Sequence, residues 1–187
     1  MIRSANYKLR TNNISLKSIL LLSDTHGYID DKILAHATKA DEVWHAGDIG
    51  QVAVTDKLSA VATVRGVYGN IDDHIVRRIF PLNNVFTIEG LKVYMTHIGG
   101  YPGRYSQGVK RQLKMEKPGL FICGHSHILK VMRDPALNLL HMNPGAAGIH
   151  GFHQMRTMIR FNILEGRILE PEVIELGLRG VLPQTVG

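Results

Sequence analysis

The chain predicts a layered α/β domain, and three features of the sequence carry that expectation. Strand-sized apolar runs alternate with helical segments as far as Tyr68. From Leu120 onward, strands follow one another with only Gly, Pro and Asn turns between them. The first strand, Ile19-Leu20-Leu21-Leu22-Ser23, shows no polar alternation and so reads as buried on both faces.

Each element has a local reason. Asp30 and Asp31 offer an N-cap and a first-turn acid for a helix running to about Ala40, with Ile33, Leu34 and Ala37 on one face. Val43–Ala46 is a short second strand. Gln51–Val61 is helical, and Val54, Leu58 and Val61 are spaced to meet a core. Ala62–Tyr68 is a third strand, followed by a short helix near Asp73–Ile79. Val85–Ile88 and Leu91–Thr96 are strands joined at Glu89-Gly90. Val109 and Leu113 mark a helix that must end before Pro118, because the residue preceding proline disfavours the helical region. The last strands are Thr157–Ile163 and Arg167–Glu175. The first half is therefore β-α-β-α-β, with no internal repeat and no interdomain linker.

Composition narrows the function classes. With 187 residues, 44% of them hydrophobic, the chain can bury one substantial core. Its longest apolar run is strand-sized, so a membrane-spanning protein is not expected. Arg3, Lys8, Arg10 and Lys17 precede the first acid, Asp24, yet the apolar segment after them is too short for a signal peptide. Residues 1–16 are read as a loose, solvated extension and residues 17–187 as the domain. A single cysteine, Cys123, leaves no intrachain disulfide and suits a reducing cytoplasm. The net charge of +6 favours anionic partners without forming a block that would mark a nucleic-acid track. Ten histidines say more, histidine being the commonest metal ligand.

The chemistry-bearing residues cluster at strand ends. Asp24 and His26 follow the first strand, Gly47-Asp48 the second and Gly69-Asn70 the third. His97 follows the fifth strand, and His125 with His127 follow the sixth. Groups just beyond the carboxyl ends of strands in an α/β sheet meet in one crevice. Taken singly, each piece is an ordinary turn or a satisfied polar residue. Together they bring two buried acids close to one another, which without counter-charge would be costly or would protonate. Divalent cations remove that cost. Seven candidate donors exceed the needs of one tetrahedral site, so two ions are expected. The mixed oxygen and nitrogen set, without thiolate, favours Mn, Fe, Zn, Co or Ni in a hydrolytic centre. Two such ions about 3.5–4 Å apart can clamp a phosphoryl group for in-line attack.

The ordered series Asp24-x-His26, Gly47-Asp48, Gly69-Asn70, His97 and Gly124-His125-x-His127 resembles the calcineurin-like metallophosphoesterases. The chain length, the GNxD form and Asn143-Pro144-Gly145-Ala146 resemble their small single-domain bacterial and archaeal phosphodiesterase branch. The likeness covers roughly residues 18–175. It implies a four-layer α-β-β-α sandwich with two divalent metal ions, Mn2+ foremost, at one edge. On that pattern Asp24, His26 and His127 would hold the first ion, and Asn70, His97 and His125 the second. Asp48 would bridge them, and a hydroxide shared by the ions would attack phosphorus in line.

Two departures bear on mechanism. Many relatives carry histidine directly after Gly-Asn, where it helps protonate the leaving oxygen; here Ile71 stands, followed by Asp72 and Asp73. Asp72, a nearby histidine or water is then the candidate acid, unless the leaving group needs none. Many relatives also have Gly-His after the strand-end histidine, whereas His97 precedes Ile98-Gly99-Gly100-Tyr101-Pro102. Arg104 or Tyr105 beyond that loop are candidates for phosphate contact. His36 is expected to face solvent, and His45 to be buried behind the metals rather than bound to them. His74 and His141 are read as structural or surface groups, and Cys123 as a small core residue. His150 and His153 are read as a surface loop able to approach the site.

The leading expectation is a phosphodiesterase acting on a small phosphoester, nucleotide-like compounds included. A second reading, of another class, is a protein-binding scaffold on the same fold, like the small subunit of the retromer coat. Decayed ligands would mark that role, whereas all seven matching positions are intact here. Nuclease action and self-association stay open.

Overall fold

Two five-stranded sheets face each other in the computed structural model, which describes residues 15–180. The extension expected over residues 1–16 lies outside that range apart from its last two residues. The first sheet holds β1 (Lys17–Leu22), β2 (Glu42–His45), β3 (Thr63–Gly66), β9 (Met155–Leu164) and β10 (Arg167–Leu178), in the order β10-β9-β1-β2-β3. The second holds β4 (Asn83–Ile88), β5 (Leu91–Thr96), β6 (Leu120–Ile122), β7 (Leu129–Asp134) and β8 (Leu139–Pro144), in the order β4-β5-β6-β8-β7. Within each sheet three neighbouring strands run parallel: β1, β2 and β3 in one, β5, β6 and β8 in the other.

Strand alternation separates the layers. Ile19 and Leu21 point into the core between the sheets, where they join Trp44, Val93, Met95, Ile122 and Phe161. Leu20 and Leu22 point the other way, onto α1 (Asp31–Ala37), α2 (Val52–Ser59) and α3 (His74–Ile79), through Ile33, Ala37, Val54, Leu58 and Val76. The unbroken apolar run of β1 is thus explained: both its faces are covered. On the far side, Tyr94 and Phe121 pack against Val109 and Leu113 of α4 (Gln107–Glu116). The architecture is the expected four-layer α-β-β-α sandwich.

The caps form as the sequence indicates. Asp30 accepts a hydrogen bond from the Ile33 N–H at 3.0 Å, and Asp73 caps α3 through the N–H groups of Ile75 and Val76. Two expectations need correction. Val61 is exposed rather than facing the core, because α2 stops at Ser59 and the chain leaves the helix before the third apolar position. His36 is half-buried, not solvent-facing, with its Nδ1 2.6 Å from the Arg160 guanidinium on β9. Among the described residues no helix is long and apolar enough to cross a membrane.

Candidate metal centre

The parallel strands of both sheets end at the same edge, and their loops are zipped together by main-chain hydrogen bonds. Asp24 N–H donates to Gly47 O at 3.0 Å and His26 N–H to Asp48 O at 3.0 Å, joining the loops after β1 and β2. Gly124 N–H donates to His97 O at 3.0 Å, joining those after β5 and β6. Asp24 crosses between the sheets: its Oδ2 accepts the His125 N–H at 3.1 Å. Two neighbouring clusters of donor atoms result, Asp24 with His26 and His127, and Asp48 with His97 and His125, each with its atoms within 4.8 Å of one another.

Asp48 faces both clusters, with Oδ1 3.2 Å from His97 Nε2 and Oδ2 3.8 Å from His26 Nε2. Asn70 lies beside it, since Gly69 packs so tightly on Asp48 that a Cβ there would overlap the Asp48 Oδ1 and N. Asn70 is exposed and lines the cleft next to His97. The backbone of this edge is strained. Asp24, His26, Asp48, His125 and His127 all have positive φ, between 49° and 68°. Non-glycine residues seldom adopt this conformation, and such strain collects at functional sites.

The donor atoms fit divalent ions on two observations. Asp24 Oδ1 and His97 Nε2 are buried without a hydrogen-bond partner, a state that costs on the order of 1–3 kcal/mol per group unless something else satisfies them. His97 Nδ1 lies 2.8 Å from Ala46 O. A carbonyl only accepts, so that nitrogen carries the proton and Nε2 presents a lone pair toward Asp24 and Asp48. The negative charge that would attract a cation here also shifts the groups around it. Burial raises the Asp48 carboxyl, but the His97 ring, the Ile71 N–H and His26 together hold it below the usual range. His26 is lowered, chiefly by burial and against the pull of Asp48 and Asp24. His97 is raised, because the two carboxylates outweigh its burial.

Asp72 does not take the part of a proton donor or substrate contact. It is buried, and its two oxygens accept the N–H groups of Ile49, Gly50 and Gly69 at 3.2, 2.6 and 2.7 Å. An acceptor engaged three times by backbone amides is committed to bracing the loops. Arg104 is exposed and does not line the cleft beside His97, where Arg77 and Arg111 stand instead. Arg77 donates to Asp72 O at 2.8 Å and Asn70 O at 3.2 Å, fixing the Gly69–Asp72 turn. Tyr105 turns its hydroxyl inward, and burial pushes that phenol up. Cys123 is buried, and burial pushes its thiol up to about 12, which leaves it a core residue.

His45 is a brace whose role its position alone did not reveal. Thr25 Oγ1 gives its proton to Ile49 O at 3.0 Å, so the 2.9 Å contact is a donation from His45 Nε2 to Thr25. His45 Nδ1 accepts the Gly47 N–H at 3.2 Å. Both nitrogens are committed to the neutral form, and burial holds the group near pKa 4. Buried His141 is likewise held to about 4, by burial and then by Lys130. Both folded values lie below the ordinary 6.5, so the unfolded chain binds more protons between about pH 4 and 6.5. Stability is fully present above that window and falls through it on acidification, by about 3 kcal/mol per histidine, with raised His97 opposing. Urea titrations in chelator at pH 7.5 and 4.5 should show this loss, to which the lowered His26, His36 and His153 also contribute, and His141→Phe should reduce it. An unchanged acid loss in that variant would refute the assignment.

Comparisons with known proteins agree with the geometry. A family profile for the calcineurin-like phosphoesterase superfamily domain matches residues 18–166. A Methanothermobacter thermautotrophicus protein named "Probable metallophosphoesterase" is 27% identical over 165 residues, covering 84% of this chain and 91% of its own. The NMR structure of a Thermotoga maritima protein matches with a TM-score of 0.65 at 26% identity, over 86% of this chain and 99% of that one. Vacuolar Protein Sorting 29 of Cryptosporidium parvum shares the fold, with a TM-score of 0.61 at 17% identity, over 87% and 98% of the two chains. With the match covering most of its length, and with the strand-end donors in place, this chain belongs to the calcineurin-like phosphoesterase superfamily.

Proposed function

We propose that this chain is a phosphodiesterase dependent on two divalent ions, with Asp24, His26 and His127 holding one and His97, His125 and Asn70 the other. Asp48 would serve both. The observation that carries this reading is the convergence of two donor clusters on one edge, with Asp24 Oδ1 and His97 Nε2 buried and otherwise unsatisfied. Bound ions would supply Lewis acidity for the phosphoryl oxygens and lower the pKa of water. The chain's own part is to orient. Ala46 O sets the His97 ring, Asp72 and Arg77 hold the Asn70 turn, and the His125 N–H fixes Asp24.

A cleft of about 400 Å³ beside His97 and Asn70 supports a diester with organic arms. Tyr68, Leu82, Ile98 and Val109 offer apolar walls, and Arg111 a cation at the margin. A monoester would leave those walls unused. Ile71 carries no proton and Asp72 is engaged elsewhere, so esters with acidic alcohols as leaving groups are favoured. With Mn2+, kcat/KM for bis(p-nitrophenyl) phosphate should exceed that for the monoester by about 10-fold or more, roughly 1.4 kcal/mol in transition-state stabilisation. Equal rates would sink the diesterase reading. Absence of turnover with Mn2+, Fe2+, Zn2+, Co2+ and Ni2+ would favour a scaffold role, the fold being shared with Vacuolar Protein Sorting 29.

A further inference from the structure

The segment after β8, Gly148 to His153, lies against the first donor cluster. His127 Nδ1 is 3.3 Å from His153 Nδ1, and His153 Nε2 is 3.1 Å from Gly148 O. A carbonyl only accepts, so His153 carries its proton on Nε2. In the neutral ring Nδ1 is then the acceptor, and the contact with His127 requires His127 to donate from Nδ1. That leaves a lone pair on His127 Nε2, 3.3 Å from Asp24 Oδ1 and 3.3 Å from His26 Nε2.

We propose that His153 is a positioning residue: through the chain Gly148 O, His153, His127 it fixes His127 in the tautomer that presents Nε2 to an ion shared with Asp24 and His26. The proposal rests on the metal reading of that cluster. Three further contacts hold the relay in place. Gly148 N–H donates to Asp24 O at 3.1 Å, so the accepting carbonyl is tied to the loop that carries Asp24. Arg179 Nε donates to His153 O at 3.0 Å, and Arg179 N–H to Gln154 O at 2.9 Å, anchoring the segment to the end of β10. Gly151, at φ 121°, leaves room for the His127 ring, since a Cβ there would overlap Nδ1 and Cε1. His150 is not part of the relay: it is exposed, with its ring 6.3 Å from that of His26.

Outer hydrogen bonds to ligating histidines are typically worth about 10–100-fold in metal affinity. The test uses the full chain with 15N-labelled histidine, metal-free at pH 8, where long-range 1H–15N correlation spectra identify each ring tautomer. His127 is expected protonated at Nδ1 and His153 at Nε2. In His153→Phe, His127 should shift to the Nε2–H form that free imidazole side chains prefer, and Zn2+ affinity by calorimetry should fall about 10–100-fold. His153→Gln, whose amide can accept from His127 and donate to Gly148 O, should restore both readouts. Thermal melts of both variants separate this from a general loosening of the loop, which would move stability without moving the tautomer. A wild-type His127 protonated at Nε2, or wild-type Zn2+ affinity in His153→Phe, would overturn the proposal. A wild-type chain that keeps the Nδ1 proton on His127 but takes up no Zn2+ would instead overturn the metal reading and leave the hydrogen bond standing.

Discussion

Asp48→Asn is expected to lower kcat/KM for bis(p-nitrophenyl) phosphate by about 10³-fold, or roughly 4 kcal/mol of transition-state stabilisation, while the chain stays folded. Asp48 sits at φ 53°, a conformation asparagine tolerates better than almost any other side chain. The amide oxygen can still accept the Ile71 N–H, now 3.1 Å from Asp48 Oδ1. What is lost is the negative charge and one of the two oxygens that face His26 and His97. Steady-state kinetics, metal content and a thermal melt together measure the effect. Wild-type-like turnover would refute a bridging role, and an unfolded variant would show that Asp48 is chiefly structural.

Gly69→Ala should reach nearly the same loss by another route, without removing any donor atom. The added methyl would overlap Asp48 Oδ1 and the Asp48 N, and neither can withdraw. The carboxylate is wedged between His97 and the Ile71 N–H, and the main chain is held by its hydrogen bond from His26. Asp48 must therefore rotate away from one cluster. Overpacking of this kind costs about 1–3 kcal/mol of stability. Activity should fall by about 10²-fold or more, as a 1 Å misplacement near the chemistry can produce. The check is bound metal per chain alongside kcat. Full metal content with unchanged kcat would show that the crowding relaxes harmlessly.

Much of the fold was readable because its signals are local. The unbroken Ile19–Leu22 run marks a strand covered on both sides, and Asp30 and Asp73 announce their helices by the caps they form. The convergence of the candidate donors was readable for a topological reason: they follow β1, β2, β3, β5 and β6, whose carboxyl ends share one edge. What stayed hidden depends on contacts between distant segments. Asp72 looked like an available acid because nothing nearby in sequence shows that Ile49 and Gly50 spend their N–H groups on it. Arg77 was overlooked in favour of Arg104 because its role is to bond two main-chain oxygens, which leaves no motif. The pairing of His127 with His153 joins residues 26 positions apart, with the β7–β8 hairpin between them and His153 itself in an irregular segment.

The left-handed backbone at Asp24, His26, Asp48, His125 and His127 gives this edge an evolutionary asymmetry. Each such residue strains the chain by about 1–2 kcal/mol that glycine would not incur. Replacing one of them by glycine therefore removes a candidate metal donor and relaxes the backbone in one step. On the backbone term alone, drift toward glycine at these positions runs downhill, whereas recovery of the original side chain runs uphill. Once selection for turnover lapses, a domain built this way can shed its chemistry while keeping its four layers, and become raw material for new binding surfaces.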